Sequence, residues 1–288
     1  MLPVVDVTKG DKPLRLGFGT SRLHYIDTHR RQKLLAEAAE LGFTHYDTAP
    51  AYGDGLAERE IGRFVKGKRA RFIIATKFGI PANSALSVVP ALSLPVRGIQ
   101  AIARRAGIRR ALPPITAHKL RQSIEQSLRR LGIDWVDILF LHEPNPERIP
   151  SVGSVLEELI SLRQRGLIRH FGLAGTWRGI ADLGDAGFKI GQVVQTHEFE
   201  WPENRIPDIT YGAISQGPQS AFAPSIDTTL ALQRVESALR RRPQGLLLVS
   251  TTKPENLRLL AQVVQAGPQG SENLQGRNWT CPQRSRRT

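Results

Sequence analysis

The chain has 288 residues, 40% hydrophobic and 23% charged, an ordinary globular composition with enough apolar material for one large domain or two small ones. No run of about 18 uncharged apolar residues occurs, and residues 1–10 show no basic segment leading into an apolar one, so neither a membrane-spanning helix nor a secretory signal is expected. The net charge of +14 would suit a nucleic-acid binder, but thirteen Lys or Arg and no acid fall between Ile61 and Ile124, nearly the whole excess, and aromatics at 6% offer no base-stacking pattern. A solvated basic face is therefore expected, with no nucleic-acid partner. The one cysteine, Cys281, cannot form an internal disulfide, which suits a reducing, cytoplasmic setting.

In chain order, a strand-like run at 14–20 is followed by a helical pattern at 27–41, opened by Asp27 or Thr28 as cap and stopped at Gly42. Strand-like runs follow at 45–49 and 72–78. The stretch 81–115 then breaks the rhythm: it mixes Pro81, Pro90, Pro95, Pro113 and Pro114 with a short amphipathic piece, and a connection of that length is commonly functional or disordered. A helix is expected over 116–131, with Leu120, Ile124, Leu128 and Leu131 on one face and Gly132 as its stop. Strands at 137–142, 171–176, 193–199, 211–215 and 245–250 alternate with helices at 155–165, 227–242 and 254–264.

Strands alternating with helices or long connections imply a parallel α/β sheet. No G-x-G-x-x-G follows the first strand, as a doubly wound dinucleotide-binding sheet would use, and the polar residues that stand out lie at the ends of several different strands. A (β/α)8 barrel is the expected fold, a single domain over 1–265. Residues 80–116 form an inserted loop at the active-site face, a candidate lid, and 266–288 a basic tail.

Four residues carry chemistry. Asp47 ends the second run, and Tyr52 follows five residues on in a Gly-rich turn. Lys77 and His142 end two other apolar runs. A Tyr hydroxyl can protonate a carbonyl oxygen as hydride reaches the carbon, although its ordinary pKa near 10 makes it reluctant at neutral pH. A Lys ammonium beside it is expected to bring that pKa down, an Asp paired to the Lys keeps the ammonium charged, and a His can orient the carbonyl. Singly each has a structural explanation; together, in this order, they read as a site. No metal-ligating cluster is read.

With these residues, and with Leu16-Gly17-Phe18-Gly19-Thr20, Asp47-Thr48-Ala49-Pro50-Ala51-Tyr52-Gly53, Ala75-Thr76-Lys77, Leu141-His142-Glu143-Pro144 and the Ser250 to Leu257 stretch, the sequence resembles the aldo-keto reductases, nearer to their long-looped bacterial and plant branches. The resemblance implies a catalytic tetrad of Asp47, Tyr52, Lys77 and His142 with Tyr52 as general acid. It also implies NADP(H) in preference to NAD(H), bound across the C-terminal face through Gly19, Thr20, Gln195, Ser250, Thr251, Lys253 and Asn256. Where the family often has Ser-Asn holding the nicotinamide amide, this chain has Ala174 and Gly175, and the aromatic residue often found on the seventh strand is not evident. The expected function is reduction of a small-molecule aldehyde or ketone, or oxidation of a sugar or alcohol. The alternative is a cofactor-binding regulatory or partner protein on the same barrel with vestigial catalysis.

Overall fold

The computed structural model describes residues 14–82, 112–188, 192–202, 204–214 and 228–266. Its eight parallel strands pair in chain order: β1 (Leu16–Gly19), β2 (His45–Asp47), β3 (Ile73–Phe78), β4 (Val136–His142), β5 (Ile168–Gly175), β6 (Gln192–His197), β7 (Ile209–Tyr211) and β8 (Leu246–Val249). The last returns to the first, with Phe18 opposite Val249, so the sheet closes into the expected barrel. Among the described residues seven helices surround it: α1 (Thr28–Glu40), α2 (Leu56–Val65), α3 (Ala117–Leu131), α4 (Val152–Gln164), α5 (Trp177–Asp185), α6 (Thr228–Arg241) and α7 (Pro254–Ala266). Among the described residues β6 joins β7 without a helix, and no helix is long and apolar enough to cross a membrane.

Side-chain caps set the helix starts. Asp27, Thr116, Ser151 and Thr176 each accept a backbone N–H three residues on, satisfying donors that the first turn leaves unpaired. Two helices escaped the sequence reading. The start of α2 follows Gly55 and has no side-chain cap, and its buried face carries Glu58 and Glu60 among the apolar residues. The short α5 contains Gly179 and Gly184, which weaken the helical pattern. The seventh strand begins two residues before the expected run at 211–215 and ends at Tyr211, because Gly212 at φ 81 turns the chain out of extended conformation.

Alternation along the strands divides the core in two. Ile73 and Ala75 on β3, Ile138 and Phe140 on β4, Ile209 on β7, and Leu246 and Leu248 on β8 fill the barrel. The opposite parity, including Phe18, Ile74, Leu139, Phe171 and Leu247, packs outward beneath the helices. Most of the expected lid, 83–111, and the tail from 267 lie outside the described residues. The flanks of the insertion are tied to one arginine: Arg148 Nη2 donates to Gly79 O at 2.5 Å and to Pro113 O at 3.0 Å, and its own carbonyl accepts the Ile115 N–H at 2.7 Å.

Candidate active site

The interior parity, carried one step toward the C-terminal mouth, changes from apolar to polar. On β3 it passes from Ile73 and Ala75 to Lys77 and on β4 from Ile138 and Phe140 to His142, while on β2 Asp47 follows the buried His45. Across the barrel it leads to Gln195 on β6, to Tyr211 on β7 and to Ser250 just past β8. All six border one cavity of about 180 Å³, and Tyr52 joins them from the turn after β2. The four expected catalytic residues thus meet in one place, at the face where barrels of this type carry their sites.

Lys77 and Asp47 form a buried ion pair, Nζ to Oδ1 at 2.6 Å, and the Thr48 carbonyl accepts a second Lys77 hydrogen bond at 2.9 Å. Burial pulls the Lys77 ammonium below its usual value, opposed chiefly by Asp47. Nζ also lies 4.9 Å from the Tyr52 ring centroid, over the ring. The expected lowering of Tyr52 does not occur. Its hydroxyl is raised well above 10, first by burial and then by the negative charges of Asp47 and Glu143. The reason is geometric: Asp47 already balances the lysine charge, so desolvation of the phenolate dominates. The phenol is held in its protonated, acid form. His142 stands edge-on to Tyr52, ring centroids 6.0 Å apart at 86°. Burial, and then the Lys77 charge, lower it to about 3, so its imidazole is neutral at physiological pH. Its Nδ1 is buried with no hydrogen-bond partner.

The expected cofactor residues divide. Gln195 is 3% exposed and borders the cavity with its Oε1 unpartnered. Gly19 borders it too, and a Cβ there would collide with Ser250 Oγ, so the glycine keeps that rim open. Ser250 is exposed on the rim and Lys253 half-buried at the start of α7. Thr20, Thr251 and Asn256 turn inward instead. The Thr20 hydroxyl donates to the Asp47 carbonyl at 2.9 Å, tying β1 to β2. Thr251 Oγ1 accepts from the Lys253 N–H at 3.1 Å and from Asn256 Nδ2 at 3.2 Å, which fixes the turn into α7. These three do not border the cavity.

A family model described as the aldo/keto reductase family matches residues 15–199, well over half of the chain. The chain belongs to the aldo/keto reductase family. Among curated relatives it is 31% identical over 171 residues to a D-threo-aldose 1-dehydrogenase of a Pseudomonas species, covering 55% of this chain and 49% of that one. It is 28% identical over 216 residues to the aldo-keto reductase YhdN of Bacillus subtilis, covering 69% and 54%. The matched stretches thus span about half the length of these relatives. Among solved structures, an aldo-keto reductase of Klebsiella pneumoniae in complex with NADPH superposes with a TM-score of 0.65 at 19% identity, over 90% of this chain and 88% of that one, which bears on the fold alone.

Two residues that border the cavity were not singled out in the sequence. Tyr211, last in β7, presents an aromatic ring to the cavity and stands edge-on to His197 at 5.5 Å. Glu143, directly after His142, also borders the cavity. A nicotinamide dinucleotide fits the donor set. The orphaned Gln195 Oε1 suits an amide N–H, and Tyr211 borders the same cavity with an aromatic ring. Ser250 and Lys253 suit a phosphate.

Proposed function

We propose that the protein is an NADP(H)-dependent oxidoreductase that interconverts a small-molecule carbonyl compound and its alcohol. The observation that carries this reading is the convergence of Asp47, Tyr52, Lys77 and His142 on one cavity beside the unpartnered Gln195 amide. NADP(H) supplies or accepts the hydride. Gln195, Tyr211, Gly19, Ser250 and Lys253 would hold it, while Thr20, Thr251 and Asn256 keep those residues in place. Tyr52 gives its proton to the substrate oxygen in reduction and takes it back in oxidation. Lys77, over the Tyr52 ring, stabilises the negative charge that develops there, and Asp47 keeps Lys77 protonated. Neutral His142 offers an N–H to the same oxygen, a role its low pKa suits.

The names of relatives support this. One of Schizosaccharomyces pombe is designated NADP(+)-dependent, and two act on sugars by name, the aldose dehydrogenase above and an L-galactose dehydrogenase of Arabidopsis thaliana. NAD(H) would be the weaker substitute, a cytoplasmic location suits the chemistry, and the barrel domain would run over 1–265. The test follows NADPH absorbance with a panel of aldehydes and NADP+ with a panel of aldoses, with Tyr52→Phe as control. Turnover in the wild type that collapses in the variant is the expected result. Tight NADPH binding with no turnover on either panel would overturn it in favour of a cofactor-binding regulatory or partner protein, a reading that the side-chain-poor wall at Ala174 and Gly175 favours.

A further inference from the structure

One ionisable group on the cavity wall has no task in this chemistry. Glu143 stands at φ 50, in the left-handed region that residues with side chains adopt rarely and that clusters at functional sites. Its N–H donates to the Ala174 carbonyl at 2.7 Å, which fixes the turn after β4. A Cβ built on Gly175 would lie 3.0 Å from Glu143 Oε2 and 2.8 Å from Pro144 Cδ, so the bare backbone at 175 leaves the room that the carboxyl occupies. The Glu143 side chain thereby borders the cavity.

The charges around it do not balance. Lys77 is committed to Asp47, His142 is neutral, and Tyr52 and Tyr211 are held protonated. Among the described residues no Lys, Arg or His lies within ion-pair distance of Glu143. Burial raises the Glu143 carboxyl above its ordinary value; the Thr176 N–H and, more weakly, Lys77 favour its ionised form, while Glu200, following β6, adds a second negative charge felt by both Glu143 and Tyr211. The wall therefore presents an uncompensated carboxylate that is free to accept hydrogen bonds from whatever fills the cavity.

We propose that Glu143 is a specificity-determining residue: it selects substrates whose non-reacting end carries hydroxyl or ammonium donors and rejects those that carry a carboxylate. This rests on the function proposed above, in that the cavity takes a carbonyl compound or alcohol. An ionised carboxylate makes strong hydrogen bonds to such donors, and a like charge brought into the same partly desolvated space is repelled.

Binding to the NADPH-loaded protein tests this apart from turnover, since an alcohol cannot react with the reduced cofactor. Calorimetry at pH 8 would compare two isosteric pairs: 4-carboxybenzyl against 4-nitrobenzyl alcohol, and 4-(ammoniomethyl)benzyl against 4-ethylbenzyl alcohol. In the wild type the carboxylate should weaken binding within its pair and the ammonium strengthen it. Glu143→Gln should shrink both ratios by about tenfold, and Glu143→Asp, which keeps the charge, should retain most of them. Ratios equal in the wild type and in Glu143→Gln would overturn the inference. So would unchanged substrate ratios accompanied by an altered ratio of NADP+ to NADPH affinity, which would assign the carboxylate to the cofactor. Charge selection without turnover of the matching aldehydes would leave Glu143 as a selector and count against the proposed reaction instead.

Discussion

The two sides of the barrel mouth are built differently. On the side of β2, β3 and β4, Asp47, Lys77 and His142 are charged or basic groups, two of them locked in a pair at 2.6 Å, with Tyr52 over them. On the side of β6, β7 and β8, Gln195, Tyr211 and Ser250 are uncharged, and the Gln195 oxygen is left without a partner. Groups whose protonation matters are held rigidly against one another, where their fields act at short range. Groups that would bind a ligand are left with capacity to spare. One side is suited to moving a proton, the other to gripping a flat polar molecule.

The comparison breaks most sharply at Lys77. Lys77→Met should abolish measurable turnover and also cost about 3–5 kcal/mol of stability, because Asp47 is left buried without its counter-ion. Adding Asp47→Asn should restore much of that stability and none of the turnover, as read by urea unfolding and NADPH oxidation. Tyr52→Phe should lower kcat/KM by roughly 10²–10⁴ while NADPH affinity and unfolding midpoint stay near the wild type. Undiminished turnover would remove Tyr52 from the reaction. On the other side, Gln195→Leu should weaken NADPH by about tenfold, the worth of one buried hydrogen bond, with a smaller effect on kcat. Lys253→Ala should narrow the preference for NADPH over NADH by a few-fold, since a half-exposed cation contributes modestly. An equal preference in the two proteins would mean that Lys253 does not read the phosphate.

The smallest effect near neutrality belongs to His142. Its pKa of about 3 lies below the ordinary value near 6.5. Between these values the unfolded chain binds the extra proton, so stability falls as pH drops from about 6.5 toward 3 and is indifferent to this group above that. The His142 ring signals should not titrate between pH 5 and 8 by NMR. A midpoint near 6 would show that the imidazole is charged in the working range.

Much of this was legible in the sequence, and what was not has local causes. Lys77 and His142 stand out because each ends a long apolar run, so the strand and its direction are readable together. Tyr211 was not readable: β7 is only three residues long, too short for a period of two to show, and Gly212 follows it at once. The helix α2 was hidden because its inner face carries acids that look solvent-facing. Glu58 is fully buried there, accepting from Thr76 Oγ1 at 2.7 Å and from Arg130 Nε at 2.5 Å. The hydrogen bonds that Thr20, Thr251 and Asn256 make within the protein were not legible, because a motif records residue types, and which way a hydroxyl or amide points is decided by the turn around it.

The arginine that gathers both flanks of the third connection has a consequence in the terms of polymer physics. Because Arg148 holds Gly79 and Pro113 to a single guanidinium nitrogen, the two ends of the intervening chain are already brought together by the scaffold. Closing such a loop costs entropy that grows only with the logarithm of its length, about 0.6 kcal/mol for each doubling. The barrel is therefore thermodynamically almost indifferent to how many residues are threaded between those two points, and lengthening the segment leaves the strands on either side of it undisturbed.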